Sequence, residues 1–177
     1  MLKRTFIHLP GVGLRGEAHF WRQGLSTWED FLAAKRVRGL SHSRFDWLKA
    51  ELQGSFDHLE DPAYFAARLQ AGEHWRLFDQ FRPRTAYLDI ETTGTVWPGL
   101  LVTVVGLYDG QTMRQFVQGY NLREFPGAIS EFDLLVTFNG KLNGIICNNS
   151  GMLWYRAPTI TAIFFQTGTG YKGARPL

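Results

Sequence analysis

The 177-residue sequence predicts an α/β fold, with a helical N-terminal region ahead of a strand-rich unit. Three observations predict it. Apolar residues recur at helical spacing, with recognisable caps, through residue 82. Short apolar runs bounded by turn residues take over after Arg82-Pro83-Arg84. An Asp109-Gly110 pair between two such runs is a strong hairpin signal. The expected organisation is a helical region over 1–82, a core over 83–142 and an atypical tail over 143–177.

In the N-terminal region, Leu9-Pro10-Gly11-Val12-Gly13 precedes a helical stretch around Gly16 to Gln23. Ser26 and Glu29 have capping-box spacing, so a helix is expected from near Thr27 towards Val37. Ser41 to Leu52 places Phe45, Leu48 and Leu52 on one stripe, with Trp47 beside it. Asp61-Pro62 is a helix start with an N-cap and a proline at the first position. Phe65, Ala66 and Leu69 follow as its apolar stripe. Glu73 to Phe81 is a further short helix carrying Trp75, Leu77 and Phe78. These aromatics are expected in the core. The five histidines (His8, His19, His42, His58, His74) show no metal-ligand spacing.

The second unit opens with Ala86-Tyr87-Leu88-Asp89-Ile90, which reads as a strand buried on both faces. Asp89 and Glu91 stand at i and i+2, so a strand points both to one face. Two converging carboxylates favour a cation between them, and hard divalent cations take oxygen ligands. A solvated strand end would also give this pattern. Leu100–Tyr108 is the second expected strand and Thr112–Gln118 the third, joined by the Asp109-Gly110 turn. Asn121 is a plausible N-cap for a short helix reaching Ser130. Asp133–Phe138 is a fourth strand.

Composition narrows the function classes. The chain is 45% hydrophobic and 20% charged, as a folded domain requires, and contains no apolar run of membrane-span length. It reads as soluble and cytoplasmic, without a signal peptide. One cysteine, Cys147, excludes an internal disulfide or a cysteine metal cluster. The net charge of +3 is compatible with a polyanionic partner. Residues 1–84 hold 13 Lys+Arg against 10 Asp+Glu, and residues 85–177 hold 6 against 6. The basic excess therefore belongs to the N-terminal half.

The stretch Leu88-Asp89-Ile90-Glu91-Thr92-Thr93-Gly94 resembles the first motif of the DnaQ-like (DEDD) exonucleases, a branch of the RNase H-like nucleases. The likeness is nearest to the YprB-type RNase H-like domain and runs over roughly Pro83 to Leu142. It implies an RNase H-like mixed sheet with the first strand central and the strand before Asn139 beside it. It also implies a metal-dependent 3′–5′ exonuclease acting on a single-stranded DNA or RNA end. Asp89 and Glu91 would be catalytic ligands of a Mg²⁺ or Mn²⁺ pair, the clamp used in two-metal phosphodiester hydrolysis. Thr92 and Thr93 would contact the terminal nucleotide, and Asn139 would shape the site. Separately, the order P-G-V-G, short helix, G-L-S-T-W-E-D-F-L resembles a helix-hairpin-helix element. There, backbone N–H groups of a glycine hairpin approach a nucleic-acid phosphate. A plain turn between packed helices fits the same residues.

The likeness breaks after Lys141. Where the YprB-type domain continues with Phe and a ligand Asp, this chain has Asn143 and Gly144, and glycine has no side chain to coordinate. Residues 134–177 contain no Asp or Glu at all. Asp109 belongs to a hairpin turn, and Asp133 starts its strand at the end away from the site. The expectation is therefore an exonuclease-like protein with an incomplete set of carboxylates. A non-catalytic nucleic-acid-binding module and a non-functional truncated remnant are the alternatives. The tail reads either as a frame-shifted product after about Leu142 or as a divergent ending in which Met152–Phe165 supplies one or two strands.

Overall fold

The computed structural model describes residues 1–93, 101–138, 147–148, 152–153 and 161–165. It is a mixed α/β chain. Two compact units divide it, the first built mainly on Met1–Thr85 with Glu131–Leu134, the second on Ala86–Ser130 and the strands from Leu135 onward.

The first unit holds helices α1 (Leu14–Trp21), α2 (Trp28–Ala33), α3 (His42–Asp57), α4 (Pro62–Ala66) and α5 (Phe78–Phe81). A 3-10 segment, Ala71–Leu77, leads into α5, so the stretch expected as one helix is mostly the tighter form. Caps explain the starts. Ser41 accepts from Arg44 N–H ahead of α3, and Asp61 accepts from Ala63 and Tyr64 N–H ahead of α4. At α2 the capping box is Thr27 with Asp30, one residue beyond the expected pair. Asp30 N–H reaches Thr27 Oγ1 at 3.1 Å while Asp30 Oδ2 accepts from Thr27 N–H at 2.9 Å. The helix also stops at Ala33, and Val37 is buried from a non-helical connection.

The core of this unit is aromatic. Phe6, Phe20, Phe31 and Phe45 form a chain of ring contacts at 5.1–5.6 Å between centroids. Trp28 is fully buried, stacks near Phe65, and donates its indole N–H to Thr5 O at 2.7 Å. Trp47 and Trp75, expected inside, are instead 40% and 39% exposed. Both lie one or two positions off the buried stripe of their segments, so their indoles stay wet.

The second unit is built on β1 (Thr85–Thr92), β2 (Val102–Tyr108), β3 (Met113–Val117), β4 (Leu134–Phe138) and β7 (Thr161–Phe165), in the order β3-β2-β1-β4-β7. A separate two-stranded ribbon pairs β5 (Cys147–Asn148) with β6 (Met152–Leu153). β1–β2 and β2–β3 are antiparallel, and the sheet as a whole is mixed. The β2–β3 turn is the expected one. Gly110 takes φ +97°, and Asp109 Oδ1 accepts from Gln111 and Thr112 N–H at 2.8 and 2.7 Å. Ahead of α6 (Phe125–Ile129), Asn121 does not cap with its side chain; it spans to Val117 N–H and Gln115 O instead. Leu88, Val105, Leu107 and Phe116 are buried, as are Phe125 and Ile129 of α6, and Phe116 meets Phe125 edge-on at 5.4 Å.

Candidate functional site

β1 sits inside the sheet, between β2 and β4. β1 and β4 start at related places: Asp133 N–H donates to Arg84 O at 2.9 Å, just before the two strands begin. Along β1 burial alternates. Ala86 and Leu88 are buried, Tyr87 is half-buried, and Asp89 and Glu91 are exposed. The expectation of a strand buried on both faces is thus corrected. Tyr87 shares the carboxylate face, where a tyrosine keeps a wet hydroxyl on an apolar ring. Both carboxylates do share one face, as the spacing requires, but water already solvates them there, so burial places no demand for a compensating cation.

Register defines their neighbours. Asp89 stands opposite Gly106 and Glu91 opposite Val104, with Gln115 and Val117 next across β3. Gly106 offers no side chain, so Asp89 faces bare backbone on β2; a Cβ there would come within 3.9 Å of Asp89 Cβ and 3.1 Å of Met113 Cε. Tyr87, Tyr108 and Met113 form the next row, and Tyr108 and Met113 are 41% and 57% exposed. The carboxylates therefore lie in an open, partly apolar sheet face.

The end of the strand is pinned by hydroxyls. The β1–β2 register shifts between Glu91 and Thr92. Thr103 Oγ1 donates to Glu91 O at 3.1 Å, Thr93 Oγ1 accepts from Leu101 N–H at 3.1 Å, and Thr93 N–H donates to Leu101 O at 2.9 Å. Of the expected nucleotide contacts, Thr93 is exposed, whereas Thr92 is half-buried and alternates to the face opposite Glu91. Asn139, Gly94 and the stretch through Gly144 lie outside the described residues.

The two other aspartates of this region, Asp109 and Asp133, are engaged elsewhere. Asp109 closes its turn, and the Thr112 and Gln111 N–H groups hold its carboxyl below the usual range. Asp133 Oδ2 pairs with Arg84 Nε at 2.9 Å. Among the described residues no group of three or more His, Cys, Asp or Glu is placed to hold a metal ion. Asp89 and Glu91 suit one hard cation whose other ligands are water or phosphate oxygens, but they do not complete a two-metal clamp.

In the first unit, the glycine hairpin is formed: Gly11 takes φ +70°, Val12 N–H donates to Leu9 O at 3.1 Å, and Gly13 precedes α1 without a side-chain cap. Arg44 Nη2 donates to Pro10 O at 2.5 Å and braces it. Sequence reasoning missed a buried ionic network here. Glu17, 1% exposed, accepts from Phe6 N–H at 2.6 Å and from Arg76 Nη1 at 3.0 Å, and Arg76 Nε also meets Glu73 at 2.6 Å. Burial pushes the Glu17 carboxyl upward, against the pull of the Phe6 N–H and the guanidinium. Glu17 and Arg76 are far apart in sequence, and no local signal joins them.

No family model, no curated protein and no solved structure matches this chain. Among the described residues, no helix is long and apolar enough to cross a membrane.

Proposed function

We propose that the chain is a nucleic-acid-processing protein of RNase H-like, 3′–5′ exonuclease descent whose carboxylate set is incomplete. The observation that carries the reading is the placement of Asp89 and Glu91 together on one accessible face of an inner strand. The order β3-β2-β1-β4, with a hairpin on one side of β1 and a separate strand on the other, supports the same descent. Asp89 and Glu91 would hold a single Mg²⁺ or Mn²⁺ and present it to a phosphate oxygen of the nucleic acid. Thr93, exposed at the strand end, would contact the same nucleotide.

A purely nucleic-acid-binding module is the second reading, favoured by the engagement of Asp109 and Asp133 away from β1. Calorimetric titration with Mn²⁺, on wild type and Asp89→Ala, combined with digestion of a labelled single strand, separates the two. Incompleteness predicts weak Mn²⁺ binding that Asp89→Ala removes, with no nucleotide release. Release that is lost in Asp89→Ala would show a complete active site. Absence of Mn²⁺ binding from both proteins would leave only the binding module.

A further inference from the structure

We infer that the first unit carries a metal-independent binding surface for single-stranded nucleic acid, formed by Arg15 of α1 and Arg22 at its C-cap, Lys35, Arg36 and Arg38 of the connection after α2, and Arg44 of α3. It deepens the nucleic-acid reading above and rests on it for the class of partner.

Helical geometry puts Arg15, His19 and Arg22 on one arc of α1, opposite buried Glu17 and Phe20. The connection after α2 is stitched to that arc. His19 Nε2 lies 2.7 Å from Arg38 O, Gln23 Oε1 accepts from Arg38 N–H at 2.9 Å, and Gln23 Nε2 donates to Arg38 O at 3.3 Å. Gly39, at φ +89°, allows the close approach, since a Cβ there would stand 3.2 Å from His19 Nε2. Lys49 Nζ ties down the start of the connection through Ala34 O at 2.8 Å. At the other end of α1, Arg44 braces the Pro10-Gly11 hairpin. The segments that carry these cationic groups (α1, the connection and the start of α3) are thus tied to one another in one small scaffold.

This charge is not neutralised from within. None of the six cationic groups has a carboxylate partner among the described residues. The acids of the same stretch are committed elsewhere: Glu17 to Arg76, Glu29 to Lys3, Asp30 to the Thr27 cap and Asp46 to His42. Five of the six are arginines, whose planar fork suits phosphate better than a lysine point charge does. A single strand is favoured by Trp47, 40% exposed, with the Arg44 guanidinium 4.4 Å from its ring centroid. One exposed ring beside an arginine is a platform for an unstacked base.

The test is fluorescence anisotropy of a labelled mixed-sequence single strand of roughly 20 nucleotides, long enough to cross such a site, with the full chain in chelator over a salt series. Wild type should bind with a steep salt dependence. Arg36→Glu/Arg38→Glu should weaken binding at least tenfold and flatten the slope by about 1.4, at ~0.7 per lost phosphate contact on a single strand. Arg36→Lys/Arg38→Lys should keep most of the affinity, and Trp47→Ala should cost at least fivefold. The charge-matched control Arg68→Glu/Arg82→Glu should bind as wild type, with circular dichroism confirming that every variant is folded. Equal loss in the control, no binding in chelator, indifference to Trp47→Ala, or preference for a duplex of the same length would each overturn the inference. Because divalent ions are absent, failure here is separate from failure of Mn²⁺ binding at Asp89.

Discussion

Acidification should weaken the first unit through His8. The imidazole is 2% exposed, with Nε2 2.9 Å from Ser55 Oγ and its ring 5.2 and 5.5 Å from the Trp28 and Phe65 rings. Burial pushes its pKa from 6.5 down to about 3, with the Thr5 backbone pulling the other way and the Arg68 charge adding to the fall. The folded state thus binds the proton less readily than the unfolded chain. Stability that is fully present above pH 6.5 is lost as pH falls below it, towards the folded value near 3. At ~1.4 kcal/mol per pH unit, the loss between pH 7.5 and 5 is about 2 kcal/mol. Glu17 acts with the opposite sign: its raised carboxyl takes up a proton more readily when folded, which favours folding as pH falls towards 4.5. The informative quantity is therefore a difference. Urea unfolding followed by tryptophan fluorescence, on wild type and His8→Leu, should show the wild-type advantage shrinking by about 2 kcal/mol over that window. A difference that stays constant from pH 7.5 to 5, within about 0.5 kcal/mol, would refute the reasoning.

Two further substitutions probe the two units separately. Glu17→Gln removes the charge that faces Arg76 and should cost about 3 kcal/mol in chemical denaturation, moderated by the surviving Glu73 pair. Phe125→Ala empties a site 1% exposed against Phe116 and should cost about 3 kcal/mol or more, read as loss of amide protection in β2 and β3.

What the sequence made legible was local chemistry. Ser41, Asp61-Pro62 and the Asp109-Gly110 turn each satisfy nearby backbone groups, so a few adjacent residues suffice to place them. The common face of Asp89 and Glu91 followed from strand geometry alone. Its exposure did not, because Tyr87 and Ile90 look apolar in sequence while the fold leaves both only half-buried. The capping box moved by one residue because Ser, Thr, Glu and Asp there offer two overlapping registers. Glu17 with Arg76 and His8 with Ser55 were illegible because each pair joins segments that only tertiary packing brings together. The proposed descent and the proposed nuclease chemistry rest on the Asp89–Glu91 motif.

The long reach of the Glu17–Arg76 network has a consequence for how the chain is made. Thr5 Oγ1 and Glu17 meet their cation only at Arg76, the same Glu17 accepts from Phe6 N–H, and the amino terminus pairs with Asp79. On the ribosome the N-terminal segment can meet Glu17, Phe20 and Trp28 early, but Glu17 stays without its guanidinium until the 71–79 stretch clears the exit tunnel. Until then a carboxylate destined for burial has no cation beside it, which makes the nascent first unit a client for chaperones. The unit should acquire protease resistance in one late step of translation, not helix by helix.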